Sequence, residues 1–296
     1  MKYVLTGSAG HVTKPLSEKL LAAGHDVTVI GRNAENVKPL TDKGAKAALG
    51  SVEDVKFLQQ TFTGADAVYT MVPPYFGATD WKSYIEQVGK NYAEAIKASG
   101  VKYVVNLSSV GAHLPDGCGP VSGLYRVEKI LNELDGVHIK HLRPGYFFQN
   151  FLSNVSMVKH MNILGGNFGP ADTEIMLAEP DDIAEAAAEE LQNLNFTGHS
   201  VRYIASDERT TGDIAKVLGT AIGKPDLPWV AFSDEQTLGG MQQAGLPEEV
   251  ARNYTEMGAA IRSGTFSEDY WANRPRLSKT KLEDFAPAFA AAYNAS

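Results

Sequence analysis

The sequence predicts an α/β protein built on a doubly wound parallel sheet, with a smaller, mainly helical C-terminal region. Short apolar or β-branched runs alternate with segments of helical spacing through the first half of the 296-residue chain. Such alternation with short turns predicts right-handed crossovers and therefore parallel strand pairing. A glycine-rich turn directly follows the first strand, as is typical of this fold class.

Six strands are predicted in the first half from the short apolar runs. They are Lys2–Thr6, Asp26–Ile30, Ala45–Leu49, Ala67–Thr70, Val101–Leu107 and His138–Leu142. Apolar residues at helical spacing predict helices over Pro15–Leu21, Val52–Thr61, Trp81–Ala98 and Leu124–Leu134. Gly24 and Gly100 follow the first and third of these helices, at positions where glycine commonly ends a helix.

The second half is less regular and is predicted to be mainly helical. Its predicted helices are Asp181–Leu191, Thr211–Ile222, Ser233–Gln243, Pro247–Arg262 and Leu282–Tyr293. One further strand is predicted over Val201–Ala205, and we expect it to return to the large sheet. We therefore divide the chain into residues 1–150, the domain of the large sheet, and residues 151–296, a smaller substrate or lid region.

Composition limits the classes of function. The chain has 27 Lys and Arg against 35 Asp and Glu, a net charge of −8, which gives no electrostatic basis for broad binding to nucleic acid or anionic membranes. Cys118 is the single cysteine, and the seven histidines show no metal-ligand spacing, so we expect no disulfide and no metal site. With no signal-like start and no apolar run of about 18 residues, we expect a cytoplasmic protein.

The strongest local motif is Thr6-Gly7-Ser8-Ala9-Gly10-His11-Val12-Thr13, which joins the first strand to the first helix. Glycines allow a tight turn and a close approach to a pyrophosphate, and free N–H groups at the helix start bind its charge. Thr13 stands where the usual fingerprint has a third glycine, which alters helix packing more than phosphate contact. In its strand–turn–helix context the motif predicts nucleotide binding, and a tight turn without a ligand is the alternative.

The end of the second strand indicates which dinucleotide is preferred. A protein that prefers NAD places an acid there to bind the ribose 2′-hydroxyl. This chain has Ile30-Gly31-Arg32-Asn33 instead. The Arg32 guanidinium can bind a 2′-phosphate and stack on adenine, so the sequence favours NADP(H) over NAD(H). An ordinary surface arginine is the alternative.

Several segments, in the same order along the chain, carry a resemblance to a known family. They are Thr6–Gly10, Gly31–Asn33, Val101–Ser109, Leu142–Asn150 and Asp181–Glu185. The chain resembles the NmrA-like branch of the atypical short-chain dehydrogenases/reductases, which bind NAD(P) on a Rossmann fold. Members include quinone and azo-dye reductases, and also proteins that sense the dinucleotide and bind a protein partner without turnover.

The resemblance implies a set of cofactor contacts. Gly7, Ser8, Gly10, His11 and Val12 would line the pyrophosphate, Arg32 the adenosine phosphate, Met71, Val72 and Pro73 the adenosine side, and Ser108 and Tyr146 the nicotinamide end. Tyr146 and Phe147 would form one wall of the reaction pocket. Ser51 departs from the pattern, because many relatives carry an Asp there, close to the adenine.

Tyr125 and Lys129 are candidates for catalysis. A spacing of four places both on one face of a helix, and a lysine charge lowers the pKa of a nearby phenol, which can then exchange a proton with a carbonyl oxygen. Ser109, or Ser108 beside it, would hold the same oxygen. A second register is open, in which Glu128 is the glutamate found in the family's helix, and Tyr125 and Lys129 face elsewhere.

The sequence therefore favours an NADPH-dependent oxidoreductase acting on a small molecule, such as a quinone or a similar small electrophile. The alternative is a non-catalytic NADP(H)-sensing regulator that binds a protein partner. An epimerase or dehydratase acting on a nucleotide sugar is a third hypothesis and requires the Tyr125–Lys129 pair. His113 lies in the loop Gly111–Gly119, where exposure to solvent is the simpler expectation.

Overall fold

The computed structural model describes residues 1–296 and contains a sheet of seven parallel strands and two small sheets. The strands are β1 Lys2–Leu5, β2 Asp26–Gly31, β3 Lys46–Leu49, β4 Ala67–Thr70, β5 Tyr103–Leu107, β6 His138–Pro144, β7 Tyr146–Phe147, β8 Leu164–Gly166, β9 Glu174–Ala178, β10 His199–Ile204, β11 Asp207–Thr210 and β12 Trp229–Ala231. The large sheet has the order β10-β6-β5-β4-β1-β2-β3. All seven strands run in the same direction, but successive strands extend the sheet to one side from β1 to β3 and to the other side from β4 onward. The strand order thus reverses between β1 and β4, which confirms the doubly wound prediction.

The helices cover both faces of the large sheet. They are α1 Thr13–Ala22, α2 Ala34–Thr41, α3 Val55–Phe62, α4 Trp81–Ser99, α5 Pro120–Asn132, α6 Val155–Met161, α7 Pro180–Asn193, α8 Thr211–Ala221, α9 Asp234–Gln243, α10 Glu248–Ser263, α11 Glu268–Ala272 and α12 Leu282–Ala295. One face of the sheet packs against α1, α2 and α7, and residues such as Leu20 and Ile183 belong to the apolar cluster between them. The other face packs against α3, α4 and α5 through residues such as Leu58 and Val127.

Aspartates fix the starts of two helices on the second face. The Asp54 carboxylate accepts a hydrogen bond of 3.0 Å from the Phe57 N–H at the start of α3. The Asp80 carboxylate accepts one of 2.9 Å from the Ser83 N–H at the start of α4. Such caps satisfy backbone donors that a helix leaves unpaired. They set where each helix begins after the carboxyl end of a strand.

A third apolar cluster of 26 buried residues lies mostly in the C-terminal region, with members such as Tyr270 and Phe289, and it also includes Val110, Cys118 and Phe148 from the first 150 residues. Two small sheets, β11-β9-β7 and β12-β8, are built from strands of this region, except that β7 precedes residue 150. The strand β10 nevertheless pairs in parallel with β6 at the edge of the large sheet. We keep the division of the chain near residue 150 as a proposal, because most residues of this cluster follow that position.

Several elements are absent from the sequence-based prediction. They are α2, α6, α11, the 3-10 helices Phe148–Asn154 and Thr265–Ser267, and every strand of the two small sheets. In α2 only Val37 and Leu40 are buried, and Pro39 interrupts the helical pattern. None of the helices is both long and apolar enough to cross a membrane.

Candidate dinucleotide site

The glycine loop turns tightly between β1 and α1. Gly7 has φ +98° and Ser8 has φ +54°, both in the left-handed region that glycine adopts at low cost. The Ser8 N–H donates to the Ile30 carbonyl at 3.0 Å, and the Gly10 N–H donates to the Gly7 carbonyl at 3.1 Å. The loop therefore lies against β2 and closes on itself just before the helix.

Thr13 performs the packing role expected of the missing third glycine. Its hydroxyl donates to the Thr6 carbonyl at 2.9 Å, which ties the first turn of α1 to the end of β1. Thr6 in turn accepts a hydrogen bond of 2.8 Å from the Met71 N–H through its side chain. The loop is therefore held from two sides, and the substitution of threonine for glycine leaves the turn intact.

The loop presents unpaired polar groups. The Ser8 hydroxyl is shielded from solvent and has no hydrogen-bond partner in the protein. The N–H groups of His11 and Val12 have no backbone or side-chain acceptor, and α1 begins without a side-chain cap. Buried polar groups are normally paired, and the start of a helix attracts negative charge. These free donors fit the pyrophosphate of a dinucleotide.

A cavity of about 400 Å³ crosses the carboxyl ends of β3, β2, β1, β4 and β5. Its lining includes, in that order across the sheet, Gly50 and Ser51, Ile30 and Gly31, Gly7 and Ser8, Tyr69 and Met71, and Leu107. Phe147, in β7, also lines it. Ligands of doubly wound folds bind at this edge, where the strand order reverses. The cavity is elongated across the sheet, as a dinucleotide requires.

Arg32 lies at the end of this cavity beside Ser51, just after β2. It is exposed and forms no salt bridge and no side-chain hydrogen bond within the chain. Asn33 caps α2 by accepting from the Glu35 N–H at 2.8 Å, which fixes the backbone next to Arg32. An unpaired guanidinium at this point can bind a phosphate.

Most of the predicted cofactor contacts lie around the same cavity. Those that line it are Gly7, Ser8, Gly10, His11, Val12, Arg32, Met71 and Pro73. Val72, Ser108 and Tyr146 do not: Val72 packs against the apolar cluster of the α4 face, and Tyr146 packs against Phe151 and Phe168. Burial raises the pKa of Tyr146 above its ordinary value, so its phenol stays neutral.

Ser108 belongs to a buried polar network centred on Glu128 and Arg143. The Ser108 hydroxyl donates to Glu128 Oε1 at 2.5 Å. Arg143 donates to Glu128 through Nε at 3.0 Å and through Nη2 at 2.6 Å. Its remaining donors go to the Tyr203 hydroxyl, the Asp269 carboxylate and the Ala112 carbonyl. The network joins the ends of β5, α5 and β6 to the C-terminal region.

Tyr125 and Lys129 do not lie at the dinucleotide cavity. They line a second cavity, of about 290 Å³, that shares no residue with the first. Gly123 and Val127 face α4, where a Cβ on Gly123 would lie 2.9 Å from Ile85 Cβ and one on Gly89 would lie 2.8 Å from Val127 Cγ2. This close helix contact sets the rotation of α5. It buries Glu128 in the network above and turns Tyr125 and Lys129 away from the glycine loop.

Ser109 is half-buried and is also outside the dinucleotide cavity. Its hydroxyl donates to the Val110 carbonyl at 2.8 Å. Tyr125, Lys129 and Ser109 are therefore not brought together with the glycine loop. Their catalytic role stays a prediction.

The cavity has lining residues that sequence reasoning did not assign to it. Tyr84 lies within the helix predicted over Trp81–Ala98 and lines the cavity together with Asn36 and Glu53. Tyr69 also lines it, and its buried hydroxyl has no partner in the protein. Burial raises the pKa of Tyr69 above its ordinary value, so this hydroxyl is a neutral donor. No local motif marks these residues, because their positions depend on how strands and helices pack.

Comparisons with known proteins agree with this geometry. A family model described as the NmrA-like family matches residues 2–263. An NAD(P)H azoreductase of Xenophilus azovorans is 22% identical over 296 residues, which cover 99% of each chain.

Two solved structures resemble the whole chain. An NADPH-dependent quinone oxidoreductase of Escherichia coli, complexed with NADPH, has a TM-score of 0.82 at 20% identity and covers 97% of this chain and 99% of its own. A triphenylmethane reductase of Citrobacter sp., complexed with NADP(H), has a TM-score of 0.80 at 20% identity with the same coverage. At these identities the likeness shows the fold.

Proposed function

Because the chain belongs to the NmrA-like family, we propose that it is an NADPH-dependent oxidoreductase that reduces a quinone-like or other small planar electrophile. The observation that carries this proposal is the cavity across the carboxyl ends of the strands, with unpaired donors at the glycine loop and the unpaired Arg32 at one end. The azoreductase, quinone oxidoreductase and dye reductase among similar proteins support the same class of reaction.

Each group around the cavity has a proposed task in holding the cofactor. The N–H groups of His11 and Val12 and the Ser8 hydroxyl would bind the pyrophosphate, and Gly7 and Gly10 would allow its close approach. Arg32 would bind the 2′-phosphate. Met71 and Pro73 would follow the adenosine side. Val72, Ser108 and Tyr146 lie outside the cavity lining, so contacts of Val72 with the adenosine side and of Ser108 and Tyr146 with the nicotinamide stay predictions from the family resemblance. When bound, NADPH supplies the hydride.

The hydroxyl groups near the end of β5 favour an acceptor that needs little acid assistance. Ser108 already donates to Glu128, and Ser109 donates to the Val110 carbonyl. Neither hydroxyl has a free proton for a substrate oxygen in this arrangement. A quinone or an azo dye accepts a hydride without a strong acid at its oxygen or nitrogen, whereas a simple aldehyde depends more on one. We therefore propose that planar electron-poor acceptors are reduced in preference to aldehydes.

The same arrangement supports an alternative, a non-catalytic NADP(H)-sensing regulator that binds a protein partner. The two proposals differ in turnover. We expect the full chain to oxidise NADPH in the presence of members of a panel of quinones and azo dyes. The reaction is measured as the loss of absorbance of the reduced nicotinamide. If no acceptor in a panel of quinones, azo dyes and aldehydes is turned over although NADPH binds, the reductase proposal fails and the sensor stands.

Arg32→Ala is expected to weaken NADPH binding by about 10- to 100-fold, the cost of losing a hydrogen bond between charged groups. NADH has no 2′-phosphate, so its affinity should change by less than about threefold, within the range of a lost stacking contact. Calorimetric titration with both cofactors measures the two effects on the same protein. Equal loss for NADPH and NADH, or no loss for NADPH, would contradict the assignment of Arg32.

Tyr125→Phe is expected to leave quinone turnover within about twofold of the unchanged protein, because Tyr125 lines a different cavity from the glycine loop. The matched change Tyr69→Phe removes the buried, unpartnered hydroxyl of a residue that lines the dinucleotide cavity, and it should raise the NADPH dissociation constant. Steady-state kinetics and titration of both variants provide the test. A loss of turnover of a hundredfold or more in Tyr125→Phe would restore the tyrosine–lysine pair as the acid.

A further inference from the structure

Glu53 is the one acidic residue among those that line the dinucleotide cavity. A dinucleotide phosphate is a polyanion, and a carboxylate close to its phosphates would repel them. The Glu53 side chain is exposed and forms no salt bridge and no hydrogen bond within the chain, so the protein does not neutralise its charge. A free carboxylate in this cavity is therefore suited to an N–H donor on the ligand.

The backbone around Glu53 is fixed at the edge of the large sheet. Glu53 follows β3, and β2 separates β3 from β1, the strand that leads into the glycine loop. Its N–H donates to the Ser51 hydroxyl at 3.2 Å, and the next N–H, of Asp54, donates to the Ser51 carbonyl at 3.1 Å. Glu53 thus lies on the far side of β2 from the proposed pyrophosphate site, at the adenosine end of the cavity.

Two tyrosines lie at the same end of the cavity. Tyr75, in the loop after β4, and Tyr84, in α4, both line it, and their ring centres are 5.2 Å apart. Tyr75 is 46% exposed, so much of its ring is open to contact. Burial raises the pKa of Tyr84, the charge of Glu53 raises it further, and the charge of Arg32 lowers it. Such effects act over short distances, so Tyr84 lies near both charged groups.

We propose that this end of the cavity recognises adenine, with the Glu53 carboxylate accepting a hydrogen bond from the 6-amino group and the Tyr75 and Tyr84 rings packing on the base. The inference rests on the proposed function, in which the ligand is NADPH. The amino group is the N–H donor on the edge of adenine, and a charged acceptor makes the hydrogen bond stronger than a neutral one. Nucleotide bases stack readily on aromatic side chains.

An analogue of NADPH in which hypoxanthine replaces adenine tests the contact with Glu53. A carbonyl oxygen takes the place of the amino group in this analogue. The N1–H of hypoxanthine can still donate, but the carbonyl oxygen then lies against the carboxylate. We expect the unchanged chain to bind NADPH at least about tenfold more tightly than the analogue in calorimetric titration, as for loss of a hydrogen bond to a charged group.

Glu53→Gln should reduce this preference to less than about threefold. An amide accepts from an amino group and donates to a carbonyl, so glutamine suits both bases. The control is Glu35→Gln, which removes the same charge from an exposed residue of α2 that does not line the cavity. It should leave the preference unchanged. Taking the ratio of the two affinities cancels the general effect of a lost negative charge on phosphate binding.

The two tyrosines are tested by changes that keep or remove the ring. Tyr75→Leu and Tyr84→Leu should each weaken binding of both NADPH and the analogue by about tenfold, without altering the ratio. Tyr84→Phe keeps the ring and should bind both within about twofold of the unchanged chain. Tyr75 is half-exposed, so its replacement adds a variant whose folding is not in question.

The outcomes separate this inference from the proposed function. Tight NADPH binding without a preference over the analogue, or a preference that Glu53→Gln retains, would overturn the assignment of Glu53 and leave the oxidoreductase standing. Unchanged affinities in both leucine variants would overturn the packing of the base on the tyrosines. If the unchanged chain bound neither NADPH nor the analogue, the proposed function would fail together with the inference.

Discussion

Replacing Arg143 with methionine is expected to lower the free energy of unfolding by about 3–5 kcal/mol, because the change leaves the buried Glu128 carboxylate without its partner. The Arg143 and Glu128 side chains are only 9% and 6% exposed. Burial alone would lower the pKa of Arg143, but the hydrogen bonds and charge of Glu128 outweigh it and raise that pKa. The Arg143–Glu128 ion pair is therefore stable while both partners are present, and removing one partner is expected to lower the free energy of unfolding strongly.

A salt bridge between exposed side chains serves as the control, because it has the same charges as the Arg143–Glu128 pair but is not buried. Arg252 and Glu248 form a salt bridge along α10 with both side chains 62% exposed, so Arg252→Ala should cost less than about 1 kcal/mol. Urea unfolding followed by circular dichroism measures both variants. A double change, Arg143→Met with Glu128→Leu, should recover part of the loss because neither buried charge remains. Equal losses in Arg143→Met and Arg252→Ala would contradict the account.

The large sheet could be predicted from the sequence because its signals are local. Runs such as Asp26–Ile30 and Ala67–Thr70 are short, apolar and bounded by turn residues, and the structure places β2 and β4 there. The small sheet β11-β9-β7 could not be predicted this way. Tyr146 pairs with Leu177, and Leu177 also pairs with Asp207. The three strands of this sheet therefore come from three separate parts of the chain. No local pattern records such pairing.

The dinucleotide site and the Tyr125–Lys129 pair likewise differ in how far local sequence signals predict their positions. The glycine loop and Arg32 each follow a strand directly, so their sequence positions determine that they lie at one edge of the sheet. The orientation of Tyr125 and Lys129 depends instead on the rotation of α5. That rotation is set by the contact of Gly123 with Ile85 on another helix. A spacing of four predicts that two side chains share a face, but it carries no information about which cavity that face meets.

Gly7→Ala is expected to weaken NADPH binding by roughly a hundredfold, the largest effect we expect on the proposed cofactor site. At φ +98° an added Cβ is strained, and it would lie 2.9 Å from Met71 Cγ and closer still to the Thr13 hydroxyl. Relief of this overlap requires the Met71 side chain to move aside and the Thr13 hydroxyl to leave the Thr6 carbonyl, or the backbone that presents the His11 and Val12 N–H groups to shift; either change disturbs the loop. Calorimetric titration with NADPH measures the loss.

Gly24→Ala is the control that isolates this argument. Gly24 has φ +80°, but an added Cβ there meets nothing within 4 Å. Both variants carry backbone strain of about 1–2 kcal/mol for a left-handed alanine. Gly24→Ala should therefore lose thermal stability through this strain alone, and Gly7→Ala should lose more because of the added overlap. Only Gly7→Ala should lose cofactor. If both variants bind NADPH as the unchanged protein does, the glycine loop does not hold the pyrophosphate, and the dinucleotide assignment loses its main support.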